Sequence, residues 1–300
     1  MRKEIQSFVI VIIFFLAIFW TSGDINAHAP PPTSSYKNIS FSSIKIERDT
    51  VLRLDQDSQE ILAKQIFPGP DLSQDEDVIT LREALKRHEP SITIERNYDT
   101  EPTVQEIGNI LMNAMGPTEN GDEGDYLKYI VKSVHTDIKY YYSDGYYKTA
   151  IGYKISYYQT LNEEKYVQKK LDKIKKLLKG RDKKKQCVII GMELSKMLDY
   201  DKDLEKSSFF PGKALKKGKG TCGVYATLYY RLATECGIPC RMMVGNVIRN
   251  GENIKHAWDV LKIDGKLYFV DATWYDSSYI KNEETHQYPL LKEINVNYPK

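Results

Sequence analysis

The sequence predicts an α+β protein in which a cysteine-bearing helix packs on an antiparallel sheet that carries a histidine and an aspartate. A smaller α+β unit precedes it. Three stretches lead there. In "GKGTCGVYATLYYRLATECGIPC" (218–240) a cysteine joins a glycine-lysine run to an apolar helical segment. In "KHAWDVLKIDGKLYFVDATW" (255–274) two alternating runs flank an Asp-Gly pair, the signal of a two-residue hairpin turn. Upstream, helical and alternating runs succeed one another from Val78 to about residue 160.

Composition bounds the function classes. The chain has 300 residues, 41% of them hydrophobic, enough for one large or two modest domains with a real core. Its net charge of +2, with both signs interspersed, argues against a dedicated nucleic-acid binder, which would show a basic face. The basic run "KKLDKIKKLLKGRDKKK" (169–185) reads as a solvated helix face and the loop after it.

At the N-terminus Arg2 and Lys3 precede thirteen uninterrupted apolar residues, Phe8 to Trp20, and Ala27-His28-Ala29 follows. A positive start, an apolar stretch short of the ~20 residues that span a bilayer and an A-x-A-like site predict a secretory leader over 1–29. Pro30 is a poor cleavage context, which leaves an uncleaved anchor as the alternative. The rest of the chain is then expected to be secreted or held at the outer face of the membrane. Membrane contact would be through this segment alone.

Beyond it, residues 30–77 read as a linker and irregular segment, opening with "PPPTSSYKNISFSS". Residues 78–160 read as the small α+β unit. "ITLREALKRH" is helical and "SITIERNY" alternates as a strand. "TVQEIGNILMNAM" is a helix with Thr103 as N-cap, ended by Gly116-Pro117. "GDYLKYIVKSV" (124–134) reads as a second helix. Two tyrosine-rich strands follow, turning at Asp144-Gly145; tyrosine there suits a half-buried sheet or a stacking platform for sugars or bases. Residues 161–300 form the second unit. It opens with a long helix from Asn162 to Gly180 and another from about Lys184 to Leu198.

Four cysteines, Cys187, Cys222, Cys236 and Cys240, permit disulfides in an oxidising compartment. Zinc would lack ligands, because the C-x3-C pair has no second pair or nearby histidine. Cys222 stands apart from the others. With Thr221 or Cys222 as cap, the helix starts at the cysteine after an exposed, flexible "KKGKG". Thr227, Arg231, Thr234 and Glu235 form a narrow polar stripe, and Gly237-Ile238-Pro239 ends the helix. The first turn of a helix presents unpaired N–H groups and partial positive charge, which stabilise an anion and can hold an oxyanion.

Downstream the hairpin turn sets a register. If Ile263 pairs with Lys266, Trp258 faces Asp271, and His256 lies one diagonal step from Asp271 on the same face. Such neighbours are ~7–8 Å apart at the backbone, within reach of long side chains. A thiol at a helix start with a paired histidine and aspartate is the logic of nucleophile, base and orienter. Asp259, beside the histidine, should face the other way.

"GKGTCGVYA", "CGIPCRMMVG" and "HAWDVLKIDGKLYFVDATW" closely resemble the core of the transglutaminase-like superfamily, relatives of papain-type cysteine peptidases. The resemblance spans about 184–276. It implies Cys222 as nucleophile, His256 as base and Asp271 as third member. "MLDYDKDL" (197–204) resembles the Tyr-Asp element of bacterial members, which makes Tyr200 a candidate for lining the site or donating to the oxyanion. Gly223 is the candidate backbone donor, and Trp258 and Trp274 match aromatic positions that wall the cleft or pack the core. The resemblance implies acyl transfer through a thioester on protein or peptide substrates, cell-wall or surface proteins among them, with hydrolysis or transfer to an amine as outcomes. No cofactor is expected, and no calcium-site motif of the D-x-D-x-D-G type is present, so no metal is expected. The rival expectation is a non-catalytic surface module that keeps the fold for binding.

Overall fold

A computed structural model describes residues 6–13, 75–118, 121, 124–249, 252–275 and 292–293; for 6–13, 245–249, 252–255, 274–275 and 292–293 it describes the backbone alone. The expected linker lies outside these residues except for 75–77. Part of the apolar N-terminal segment, Gln6–Ile13, forms strand β1. Among the described residues no helix is long and apolar enough to cross a membrane.

The first unit follows with α1 (Glu76–Lys86), β2 (Ser91–Tyr98), α2 (Val104–Ala114), α3 (Asp125–Ile130), β3 (Val131–Ser143) and β4 (Tyr146–Tyr157). Its sheet is antiparallel in the order β1-β3-β4-β2. Thr103 caps α2 as expected, in a reciprocal box with Glu106. Asp144 and Gly145 both take positive φ, 57° and 85°, the turn whose twist suits two long strands. The helix expected over 124–134 is corrected: it stops at Ile130, and Val131 already pairs with Tyr157. β-Branched Val131 and Val134 favour the pleated surface and are fully buried there, which outweighs the weak helical periodicity.

The second unit contains α4 (Leu161–Leu178), α5 (Lys183–Met197), β5 (Asp199–Tyr200), a 3-10 turn (Lys206–Phe209), α6 (Pro211–Lys217), β6 (Lys219–Gly220) and α7 (Cys222–Glu235). Strands β7 (Cys240–Arg249), β8 (Glu252–Ile263) and β9 (Lys266–Val270) come next, then a 3-10 turn (Ala272–Tyr275) and β10 (Lys292–Glu293). The second sheet is antiparallel, ordered β10-β9-β8-β7. Helix α7 has no side-chain cap hydrogen bond, yet eleven of its fourteen residues are buried. A missing cap costs about 1 kcal/mol, whereas each buried Leu or Val contributes roughly 1.5–3 kcal/mol, so packing holds this helix. Its end is a Schellman motif: Gly237 (φ 67°) donates to Thr234 O at 2.9 Å and Ile238 to Ala233 O at 2.9 Å.

The expected polar stripe of α7 is polar but not solvated. Thr227 is fully buried and donates to Gly223 O at 2.6 Å, while Arg231 binds Glu164, Gln168 and Glu235. One cluster of buried apolar residues runs from Val78 to Ala272 and takes in residues of both units, with α4, α5 and α7 among its elements.

Candidate active site

Cys222 is the first residue of α7, and its place is fixed from the chain before it. Helix α6 ends at Gly218 in the left-handed region (φ 75°). Lys219-Gly220 then pairs in parallel with Asp199-Tyr200, through Asp199 N–H to Gly218 O at 2.8 Å and Asp201 N–H to Gly220 O at 3.0 Å. A side chain at 220 would press on Val224 and Leu198 at 3.2 and 3.3 Å. The expectation of an exposed flexible loop is therefore corrected: the run is a helix end and a short strand, with Gly220 buried. Thr221 donates its N–H to Ser208 O at 3.1 Å, and its carbonyl accepts from Val224 and Tyr225, leaving the amides of Cys222 and Gly223 as the open first turn of α7.

The same strand pair places Tyr200. It lies opposite Gly220 and packs against a small buried cluster of Cys222, Ala226 and Ala257, with Met242 and Val244. Asp201, fully buried, accepts from Asp203 N at 3.2 Å and Glu205 N at 2.9 Å and so shapes the turn that follows Tyr200.

The hairpin takes the register expected from its turn. Asp264 and Gly265 have φ of 50° and 76°, and Ile263 pairs with Lys266 through to Asp259 with Val270. Strand β9 ends there, and Asp271 leaves the ladder. Its Oδ2 meets His256 Nε2 at 2.5 Å, with both residues buried. Its Oδ1 accepts from Thr273 N at 3.0 Å and Thr273 Oγ1 at 2.6 Å. Thr273 escaped the sequence reading, although an aspartate two residues before a threonine at a turn is the local signal for such a bond. Trp258 lies beside the histidine with ring centroids 6.3 Å apart and packs on Phe269. Trp274 falls in the 3-10 turn, its side chain outside the described residues.

Burial opposes a charged His256. The Asp271 charge and hydrogen bond, with Cys222 as a further hydrogen-bonding neighbour, reverse that and push the ring up to about 10. With Nε2 given to Asp271, Nδ1 is the nitrogen left for the thiol. The raised value favours the imidazolium, which Asp271 orients through Nε2 and which leaves Nδ1 toward Cys222.

Asp259 faces away, as its parity requires. It is fully buried, 3.8 Å from Cys240 Sγ, and its Oδ2 has no hydrogen-bond partner among the described residues. Burial, then the Asp271 and Asp125 carboxylates, push its carboxyl well above the usual range, which disfavours its charged form. Burial likewise raises the thiols of Cys236, Cys240 and Cys187, the last to about 12. All four cysteines are free thiols, and among the described residues no cluster of three or more His, Cys, Asp or Glu is placed to hold a metal ion.

A thiol at the start of a buried helix, beside an antiparallel sheet carrying a His–Asp pair, defines a papain-like α+β core. Residues 167–276 match the family model of the transglutaminase-like superfamily. The matched segment contains Tyr200, Cys222, His256 and Asp271. No curated protein matches the chain. Among solved structures it is similar to a TGase, at 12% identity and TM-score 0.33, over 72% of this chain and 57% of that one. The chain thus spans a little over half the length of that protein. It is also similar to a proposed cysteine protease from Cytophaga hutchinsonii, at 11% identity and TM-score 0.31, over 68% of each chain.

Proposed function

We propose that this chain is an exported transglutaminase-like cysteine enzyme that acts on protein or peptide amide bonds through Cys222, His256 and Asp271. The observation that carries the reading is the 2.5 Å bond between His256 and Asp271, with the ring beside a thiol at a helix start. In this reading the Cys222 thiolate attacks the amide carbonyl. The amides of Cys222 and Gly223, with Tyr200 beside them, receive the developing oxyanion. His256 gives its proton to the departing amine or ammonia as the C–N bond breaks and the thioester forms. It then takes a proton from the water or amine that attacks the thioester, and the C–S bond breaks to release an acid or a new amide and restore the Cys222 thiolate beside the protonated ring. Trp258 flanks the ring and keeps bulk water from it. Export rests on the N-terminal sequence pattern, and surface or cell-wall proteins are the proposed substrates.

The test is alkylation by iodoacetamide at neutral pH followed by peptide mapping. Rapid modification confined to Cys222 and slowed in His256→Ala is expected. Alkylation no faster than that of a free thiol, or Cys222 recovered in a disulfide from secreted protein, sinks the reading and favours a non-catalytic binding module. A fluorescent amine offered with casein then separates transfer, which labels the casein, from hydrolysis, which does not.

A further inference from the structure

Helix α3 belongs to the first unit, lies outside the family-matched segment and is six residues long, yet five of those six are buried. Its polar side chains reach across to the second unit. Asp125 and Tyr129 are one turn apart and share a face. Asp125 Oδ2 accepts from Arg241 Nε at 2.7 Å and Met242 N at 3.0 Å, and Oδ1 accepts from Arg241 Nη2 at 3.2 Å. Met242 pairs with Asp259 on β8, the strand that carries His256, and its Sδ lies 3.3 Å from Thr227 Oγ1 of α7. At the other end of the turn, Tyr129 OH donates to Phe209 O at 2.9 Å. That carbonyl adjoins Ser208, whose own carbonyl holds the Thr221 amide immediately before the nucleophile. Burial first, then the nearby Cys222, push the Tyr129 phenol above its usual range, so the two groups share one neighbourhood.

We propose that Asp125 and Tyr129 are positioning residues of the acyl-transfer site, one face of α3 setting the distance between the start of the Cys222 helix and the His256 strand. This rests on the function proposed above. The hydrogen bonds of the two residues given above end on Arg241, Met242 and Phe209, not on Cys222, His256 or Asp271. Asp125 acts through β7 on the histidine side, and Tyr129 acts through the 206–209 turn on the thiol side. Displacements of about 1 Å in such a site cost up to about 10²-fold in rate, so a contact that leaves the fold intact can still govern turnover.

The matched control is Tyr126 on the same helix. Its hydroxyl donates to Glu164 at 2.7 Å and accepts from Gln159 at 2.9 Å, in a network with Arg231 away from the thiol. Full-length Tyr129→Phe, Asp125→Asn and Tyr126→Phe are compared for kcat and KM with casein and a fluorescent amine, for thermal midpoint, and for the pH profile of Cys222 alkylation. Tyr129→Phe is expected to lower kcat about tenfold and Asp125→Asn up to about 10²-fold. Both should leave KM within about twofold and slow alkylation in proportion, while Tyr126→Phe shifts the midpoint alone. If Tyr129→Phe and Asp125→Asn also shift only the midpoint, with kcat and the alkylation profile as in wild type, α3 is packing and the proposal is overturned. If Asp125→Asn does not fold, Tyr129→Phe, which removes one oxygen, decides alone. A wild-type chain without turnover or fast alkylation defeats the acyl-transfer reading instead, and the variant-to-wild-type alkylation ratio still decides the role of α3.

Discussion

Two hairpins in this molecule turn on the same dipeptide. Asp144-Gly145 joins β3 to β4, and Asp264-Gly265 joins β8 to β9, all four residues at positive φ. Beyond the turn they diverge. In the first, strands of thirteen and twelve residues run on to an exposed tip where Tyr142 and Tyr146 stand in solvent. In the second, β9 lasts five residues, is buried after Lys266, and releases Asp271 from the ladder at the point where its carboxylate meets His256. The turn chemistry sets register in both. The chemistry of the site comes from where the second hairpin ends and from what seals it.

The largest expected effect breaks that difference directly. A valine inserted between Phe269 and Val270 reverses the parity of everything after it and turns Asp271 to the opposite face. The expected loss of kcat is about 10³-fold or more, the scale on which removing a triad member acts. The same insertion between Tyr146 and Tyr147, at the exposed tip, should leave kcat within a few fold because a bulge there is absorbed in solvent. Equal losses at both sites would show that hairpin integrity, not the Asp271 register, limits activity.

A second effect is the pH dependence of stability. The His256 ring is raised from 6.5 to about 10 in the folded chain. A raised pKa contributes stability that is fully present below about 6.5 and is lost as pH climbs through about 10. Urea unfolding of wild type should therefore weaken across that window relative to His256→Ala. Parallel curves for the two would mean that the ring is not charged in the folded state.

Smaller again is Thr273→Val, which keeps the shape and the N–H bond but removes the 2.6 Å hydroxyl donor to Asp271. A loss of about 1–2 kcal/mol in transition-state stabilisation, roughly tenfold in kcat, is expected with KM unchanged. The smallest effect compares the turns. Gly145→Ala and Gly265→Ala each meet open space but force positive φ on alanine. Each should cost about 1 kcal/mol of stability, and only the second should lower kcat. Identical kinetic effects would erase the distinction between the hairpins.

What could be read in the sequence was local. The Thr103 cap and the Gly237-Ile238-Pro239 stop lie where residue chemistry puts them. So does the Ile263–Lys266 register, because caps and two-residue turns are decided within a few residues. The misreadings also have local causes. At 124–134 a short helix runs without a break into a strand, so one periodicity masked another. The glycine-lysine run looked like a loop, yet it is pinned as β6 by Asp199-Tyr200, whose pairing depends on a helix returning from elsewhere. Asp125 and Tyr129 carry no motif, since their partners lie about 80 to 117 residues away.

The sequence by itself determined which residues can share a face: His256 with Asp271, Asp259 turned away from them, Cys222 at the first turn of its helix. Periods of 2 and 3.6 residues and the conformations open to Asp-Gly and Gly fix such relations without reference to the rest of the chain. Only the tertiary structure decided that the thiol lies beside the ring, that Tyr200 is laid next to the thiol, and that α3 spans the two sides. Those distances follow from burying residues remote in sequence in one core, and no local period records how separate elements settle against each other.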